Sequence, residues 1–287
     1  MTAEKNKSKI QNPKSKIQVG CQGWNYSDWI SKAGGNTIFY PRGTKSDAML
    51  ELYAGIFDTI EVDSTFYAIP PISVIENWYK KTPQDFTFSL KMPQEITHEK
   101  ELRSESFEVS QIFCERIKDL KEKLATVLIQ LPPTFDGSKS NAQNLREFLK
   151  QLPGDINFAI EFRHRDWMID WTFEELQQNN IALCLCEGSW IPREMFFKAL
   201  HEIQNDFAYV RFMGERDLTS FDKIYRNQDT LLEIWKEQIE DIKAKKVYVY
   251  FSNFFEGNAP ISSNKLKELL DQKTIHPSIL INQGSLF

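Results

Sequence analysis

The chain has 287 residues, of which 41% are hydrophobic, 26% charged and 13% aromatic; that composition supplies a large core and a solvated surface and excludes a disordered chain. The net charge of −5 is uneven: residues 1–16 hold Lys5, Lys7, Lys9, Lys14 and Lys16 against Glu4, so the remainder stands at −9. So acidic a body is a poor general binder of nucleic acid, which needs clustered Lys and Arg, and no apolar run reaches the roughly 18–20 residues of a membrane span.

In chain order, the sequence opens on a polar stretch in which Lys-Ser-Lys-Ile-Gln occurs at 7–11 and again at 14–18. Two copies are too few for a repeat architecture. Residues 1–15 read as a flexible tail and residues 16–287 as one barrel domain. No apolar segment of a secretory signal follows the lysines, so the expected location is the cytoplasm. Eight short strand-like runs follow: Ile17–Cys21, Thr59–Val62, Phe86–Lys91, Thr126–Leu131, Asn157–Phe162, Ile181–Cys186, Phe207–Phe212 and Lys246–Phe251. The spaces between them suit crossover helices, with helical periodicity at Glu101–Lys123, Asn141–Gln151, Thr172–Asn179 and Thr230–Lys245. Alternation of this kind predicts a parallel sheet, and eight units in about this length predict an α/β fold of the TIM type, a single-domain (β/α)8 barrel. Cys21, Cys114, Cys184 and Cys186 have no disulfide-framework spacing, and the pair 184/186 lies in an apolar run that reads as buried thiols.

Successive strand residues point to opposite faces. Ile60 and Val62 thus oppose Glu61 and Asp63; Phe86, Phe88 and Leu90 oppose Thr87, Ser89 and Lys91; Ile129 and Leu131 oppose Gln130. Further on, Phe158, Ile160 and Phe162 oppose Ala159, Glu161 and Arg163, and Val210 and Phe212 oppose Tyr209 and Arg211. The apolar face suits packing under helices, so the other face points into the barrel. It carries charge toward the C-terminal end of each strand, where barrel active sites sit.

These segments are similar to the DUF72, or YecE-like, family over nearly the whole chain after the tail. The resemblance rests on Gly20-Cys21-Gln22-Gly23-Trp24-Asn25-Tyr26 with Trp29, Phe39-Tyr40-Pro41, and Glu61-Val62-Asp63-Ser64-Thr65-Phe66-Tyr67. It continues through Phe88-Ser89-Leu90-Lys91-Met92-Pro93 with Ile96-Thr97-His98, and Leu128-Ile129-Gln130-Leu131-Pro132-Pro133. It ends with Glu161-Phe162-Arg163-His164 with Trp167, Tyr209-Val210-Arg211, and Val247-Tyr248-Val249-Tyr250-Phe251. The resemblance implies a TIM-type barrel and supplies no reaction. This chain departs from the family pattern in Cys186-Glu187, where an Asp is usual, in Met213-Gly214, where His-Gly is usual, and in Ser252, where Asn is usual. Any mechanism that needs an Asp or His at those positions does not carry over.

The residues point to chemistry as follows. Glu161 and Arg163, two apart on one strand, share a face; a carboxylate beside a guanidinium keeps a low pKa and suits a ligand or anchor. Arg211 and Lys91 point into the same space. Lys91 reads first as an anion-binding point charge, then as an imine-forming amine if burial lowers its pKa, or plainly as a partner of Glu61 or Glu161. Glu61 and Asp63, with Glu161 opposite, are compatible with a divalent metal having His98 and His164 as nitrogen ligands, although the spacing matches no metal motif. Asp63 equally suits a turn cap. His98 and His164, in loops after the third and fifth strands, are acid/base candidates. Trp24 and Tyr67 are rim aromatics for stacking, and Gln130, Tyr250 and Asn253 complete the binding set.

The leading expectation is an enzyme of hydrolase, lyase or isomerase type that binds a polar, anionic or polyhydroxylated small molecule at the barrel mouth. Its catalytic candidates are Glu161, Lys91, His98 and Glu61; Arg163, Arg211, Gln130, Trp24, Tyr67, Asp63, His164, Tyr250 and Asn253 bind. The alternatives are a metal-dependent phosphodiester or nucleic-acid hydrolase and a non-catalytic ligand-binding or scaffold barrel.

Overall fold

Eight parallel strands close on one another in sequence order, so each strand is hydrogen-bonded to its neighbours in the chain and the last returns to the first. The computed structural model describes residues 15–33, 38–200 and 205–279. The strands are β1 (Lys16–Gln22), β2 (Thr59–Val62), β3 (Thr87–Lys91), β4 (Leu124–Gln130), β5 (Phe158–Glu161), β6 (Ala182–Glu187), β7 (Phe207–Phe212) and β8 (Lys246–Phe251). The helices among the described residues are α1 (Ser46–Ala54), α2 (Ile72–Lys80), α3 (Phe107–Ile117), α4 (Lys139–Leu149), α5 (Asp170–Gln178), α6 (Arg193–Ala199), α7 (Asp229–Asp241), α8 (Asn253–Glu256) and α9 (Ala259–Leu269). The expected TIM-type barrel and all eight runs are present, displaced by no more than two residues at their starts. Of the expected tail only Ser15 is described. Its hydroxyl donates to the carbonyls of Ile242 and Ala244; residues 1–14 lie outside the described residues, as do residues 280–287 of the expected domain.

Local chemistry sets several helix starts. The side chains of Ser138, Ser252 and Asn258 accept from the backbone N–H of Asn141, Phe254 and Ile261, satisfying donors that a helix leaves unpaired at its first turn. Pro71 stands at the cap of α2, where its missing N–H removes nothing.

The strand alternation divides the molecule into two interiors. Ile60, Val62, Phe88, Leu90, Val127, Ile129, Ile160, Val210 and Phe212 are all buried, and they form the apolar layer under the helices. Trp78 of α2 stacks on Phe88, and Trp235 of α7 meets Phe212 edge to face. The axis is polar. Tyr250 sits deep in it, its hydroxyl paired with Thr59 and Ser89 at 2.6 and 2.9 Å. Among the described residues no helix is long and apolar enough to cross a membrane.

Gly20 marks the tightest strand contact. A Cβ there would lie 2.3 Å from the Thr59 carbonyl oxygen and 3.0 Å from the Tyr53 hydroxyl, so β1 can approach β2 only without a side chain. Gly154, in contrast, faces open space. Gly20→Ala is therefore expected to destabilise the barrel by roughly 2–3 kcal/mol, while Gly154→Ala stays within about 0.5 kcal/mol of the parent. Urea unfolding of both variants checks this, and equal losses would sink it.

Candidate active site

The C-terminal ends of β2, β5 and β7 bring three fully buried charges to one point on the barrel axis. Arg211, 0% exposed, donates through Nη2 to Glu61 Oε1 at 2.7 Å and through Nη1 to Glu161 Oε2. The remaining oxygens are also taken. Tyr209 donates its hydroxyl to Glu61 Oε2 at 2.7 Å, and Arg163 Nε donates to Glu161 Oε1 at 2.8 Å. Burial alone would raise the Glu161 carboxyl, but Arg211 and Arg163 outweigh it and lower it to about 2. Glu161 is thus held as an ionised anchor, and Glu61 has both oxygens engaged by Arg211 and Tyr209.

With Glu61 and Glu161 spent on two guanidiniums and Asp63 beyond ion-pair distance, the next cation has no direct partner. Lys91, at the C-terminal end of β3, is 5% exposed. No carboxylate oxygen of the described residues lies within 4.0 Å of its Nζ, so the expected alternative of a pair with Glu61 or Glu161 is not formed. Its neighbour is the face of Phe66, with Nζ 3.5 Å from the ring centroid. A desolvated cation–π contact contributes about 2 kcal/mol, whereas burying an unpaired ammonium costs several. Desolvation wins: burial, then Arg211, lower the Lys91 amine to about 7 from its usual 10.5, despite opposing pulls from Glu161 and Glu61.

His98 packs edge-on against the same Phe66 ring at 5.0 Å, and its Nδ1 pairs with the Thr97 hydroxyl at 2.8 Å. Burial, then the charges of Lys91 and Arg163, lower it to about 4, so it is neutral at pH 7. Asp63, half-buried, is raised by burial and by Glu61 and feels both Lys91 and Arg211. Its side chain caps no turn. Gln130, paired in register with Glu161, is buried with its Oε1 unsatisfied among the described residues, as are Thr126 Oγ1 and Arg211 Nε. Buried polar atoms of this kind ordinarily have a water or ligand as partner.

Beside this cluster a cleft of about 360 Å³ opens over β5–β7, lined by Arg163, Cys186, Trp190, Met213 and Arg216 among others. Arg163 joins the two: its Nε holds Glu161, while its guanidinium lies 5.8 Å from the Trp190 ring in the cleft. Trp190 is 50% exposed there. A cavity of about 230 Å³ near the N-terminal ends of β6 and β7 contains none of the candidate residues.

The structure therefore gathers Glu61, Asp63, Lys91, His98, Gln130, Glu161, Arg163 and Arg211. It separates others. Tyr250 lies deeper in the axis, its hydroxyl spent on Thr59 and Ser89, so the sequence-based placement at the mouth is corrected. Asn253 is 2% exposed and its Oδ1 accepts from Trp29 Nε1 and Ala259 N, tying α8 to the loop after β1. His164 turns to its own loop, accepting from Asp166 N at 3.4 Å. Trp24 packs edge to face on Trp78, and Tyr67 is 72% exposed on the rim against Phe66. The metal-donor alternative is not formed: among the described residues no three His, Cys, Asp or Glu side chains stand where they could hold one metal ion, and the guanidinium of Arg211 bridges Glu61 and Glu161. Glu187, in the position where the resemblance leads one to expect Asp, points to the helix layer instead. It binds Trp235 Nε1 at 2.6 Å and Arg193 at 2.9 Å. Burial pushes the Cys184 and Cys186 thiols up, so both remain protonated.

Residues absent from the sequence-based set are Phe66, which shelves Lys91, Tyr209, which completes Glu61, and Trp190 with Arg216 in the cleft. Alternation placed Tyr209 on the axis, but no local signal marks a loop tryptophan as a cleft wall.

A family model described as a protein of unknown function, DUF72, matches residues 18–282. The protein YunF of Bacillus subtilis, described as UPF0759, is 30% identical over 278 residues, covering 89% of this chain and 95% of YunF. YecE of Escherichia coli is 32% identical over 148 residues, covering 52% of this chain and 48% of YecE. Among solved structures, a DUF72 family protein of Thermotoga maritima superposes with a TM-score of 0.73 at 26% identity, covering 90% of this chain and all of that one. A DUF72 family protein of Enterococcus faecalis gives 0.68 at 21% identity, covering 90% and 99%.

Two outcomes test the electrostatics. Arg211→Met leaves Glu61 and Glu161 buried without their shared cation and is expected to cost about 3–5 kcal/mol in urea unfolding at pH 7; a loss under 1 kcal/mol would show that the triad is not held as an ionised unit. Lys91→Met removes an unpaired buried ammonium and is expected to stabilise by on the order of 1–3 kcal/mol at pH 6. Because the folded amine titrates near 7 and the unfolded one near 10.5, the penalty is full below pH 7 and fades as pH rises from 7 to 10.5. The stability gap between Lys91→Met and the parent must then narrow over that window, and a gap that stays constant contradicts the lowered amine.

Proposed function

The chain belongs to the DUF72 family, and from that premise we propose that it is an enzyme binding a small anionic molecule at the C-terminal mouth of the barrel. The observation that carries this reading is a buried cation at the mouth with no direct partner. Glu61 and Glu161 are matched by Arg211 and Arg163, and Lys91 stands beside them with no ion pair among the described residues. A bound carboxylate or phosphate supplies the missing counter-charge. Arg163 offers the guanidinium nitrogens that Glu161 does not use, and Arg216 lines the same cleft. Planar guanidinium groups suit bidentate recognition of such anions. Trp190 is placed to cover an apolar or planar part of the ligand.

The roles follow from charge state. Glu61 and Glu161 keep Arg211 in place. Lys91, with an amine near 7, and His98, neutral above about 4, are the groups that can exchange protons at working pH. This assigns the acid/base work to the β3 end and its following turn, and the anchoring to β2, β5 and β7.

Arg163→Ala tests the reading. Glu161 keeps Arg211 as partner but its Oε1 loses a buried hydrogen bond, so the variant is expected to lose roughly 1–3 kcal/mol of stability. Its affinity for inorganic phosphate and small carboxylates, measured by calorimetry and by ligand-induced rise in melting temperature, should fall at least tenfold. Unchanged anion binding overturns the assignment, and an unfolded variant makes Arg163 a structural ion-pair partner instead.

A further inference from the structure

We infer that Lys91 forms an imine with the bound molecule, so that the substrate is an anionic aldehyde or ketone, a small oxo acid in the simplest case. The inference rests on the anion-binding reading and specifies the chemistry of the same site.

The protein carries its own comparison. Lys123 is also buried, but its Nζ donates to Tyr79 O, Thr82 O and Thr82 Oγ1 at 2.7, 2.7 and 3.1 Å, as a structural lysine should. Lys91 makes no such bond among the described residues. It rests on the Phe66 ring, and Nζ is not among the sealed unsatisfied polar atoms. The amine is therefore desolvated, unpaired and open at one side. Those are the conditions under which a lysine becomes a nucleophile. Around it stand Arg211 of β7, Glu161 and Arg163 of the β5 end, Glu61 of β2, Asp63 just beyond β2, and His98 of the turn after β3. Arg211 and Arg163 suppress the ammonium form, and the nitrogens of Arg163 that Glu161 leaves free bind a carboxylate attached to the carbonyl. Burial and Arg211 bring the amine to about 7, so a large fraction is uncharged at neutral pH.

The step balances without an added oxidant or reductant. The nitrogen lone pair of Lys91 adds to the carbonyl carbon, forming a C–N bond while the C=O π pair moves to oxygen as an alkoxide, which takes a proton from solvent. Neutral His98 accepts one proton from the cationic nitrogen and returns it to the carbinolamine hydroxyl. That group leaves as water, the nitrogen lone pair closes C=N, and the second N–H hydrogen stays on nitrogen, so the product is the protonated imine. The protonated imine is an electron sink for bond cleavage at the adjacent carbon, which is lyase or isomerase chemistry.

The test uses the full chain with glyoxylate as the probe and sodium cyanoborohydride as the hydride source, read by intact mass and peptide mapping. A covalent adduct is expected at Lys91, at least tenfold faster than at any exposed lysine, with a rate that rises through a midpoint near pH 7. Inorganic phosphate should slow it, Arg163→Ala should slow it, and Lys91→Arg should abolish it with the circular dichroism spectrum unchanged. Adducts spread evenly over exposed lysines overturn the imine. If phosphate still raises the melting temperature of the parent and not of Arg163→Ala, anion binding survives that failure alone. An adduct at Lys91 that phosphate does not slow keeps the imine and removes the anion site.

Discussion

Arg211, enclosed between Glu61 and Glu161 on the barrel axis, is the contact on which the mouth of this protein depends. Three unit charges without solvent contact persist together only when each is matched and every remaining lone pair is used. Here Tyr209 takes the spare oxygen of Glu61 and Arg163 that of Glu161. The interaction ties β2, β5 and β7 to one another through the interior, where a purely structural barrel would carry layers of Val, Ile and Leu.

The same arrangement determines what else the mouth contains. With both of these carboxylates matched, Lys91 enters an interior that already holds two guanidiniums and offers it no carboxylate at ion-pair distance. Its amine and the His98 imidazole are therefore both driven toward their neutral forms, for the same two reasons: removal from water and proximity to fixed cations. A fold that keeps an uncompensated lysine at this depth gives up stability there, and such local conflicts cluster at functional sites. The open cleft over β5–β7 lies on the side of Arg163, so the charged axis meets solvent through a group that belongs to both.

Much of the scaffold was legible in the sequence because strand alternation is a local property. The alternation of Ile60 and Val62 with Glu61, or of Val210 and Phe212 with Tyr209 and Arg211, states which residues face the axis before any strand is placed beside another. It also states that charge collects at one end. Helix α8 and the loop carrying Trp190 had no comparable periodicity, and the depth of Tyr250 depends on the stagger between neighbouring strands rather than on its position within β8. Glu187 illustrates the opposite error of trusting position alone. It sits at the end of β6, but alternation after Cys186 turns it to the helix layer, where Trp235 and Arg193 bind it.

By itself the sequence determined the (β/α)8 barrel, the inward face of five of its strands and the inventory of charges at the mouth, since periodicity and residue type are written along the chain. Only the tertiary structure decided which charges are partners. Glu61 and Arg211 are 150 positions apart and Glu161 and Arg211 are 50 apart, and no pattern within either segment selects one cation over another. Pairing is set by the stagger of strands around a closed barrel and by the high energy of an unmatched buried charge. Those two constraints gave Arg211 to both carboxylates and left Lys91 without one.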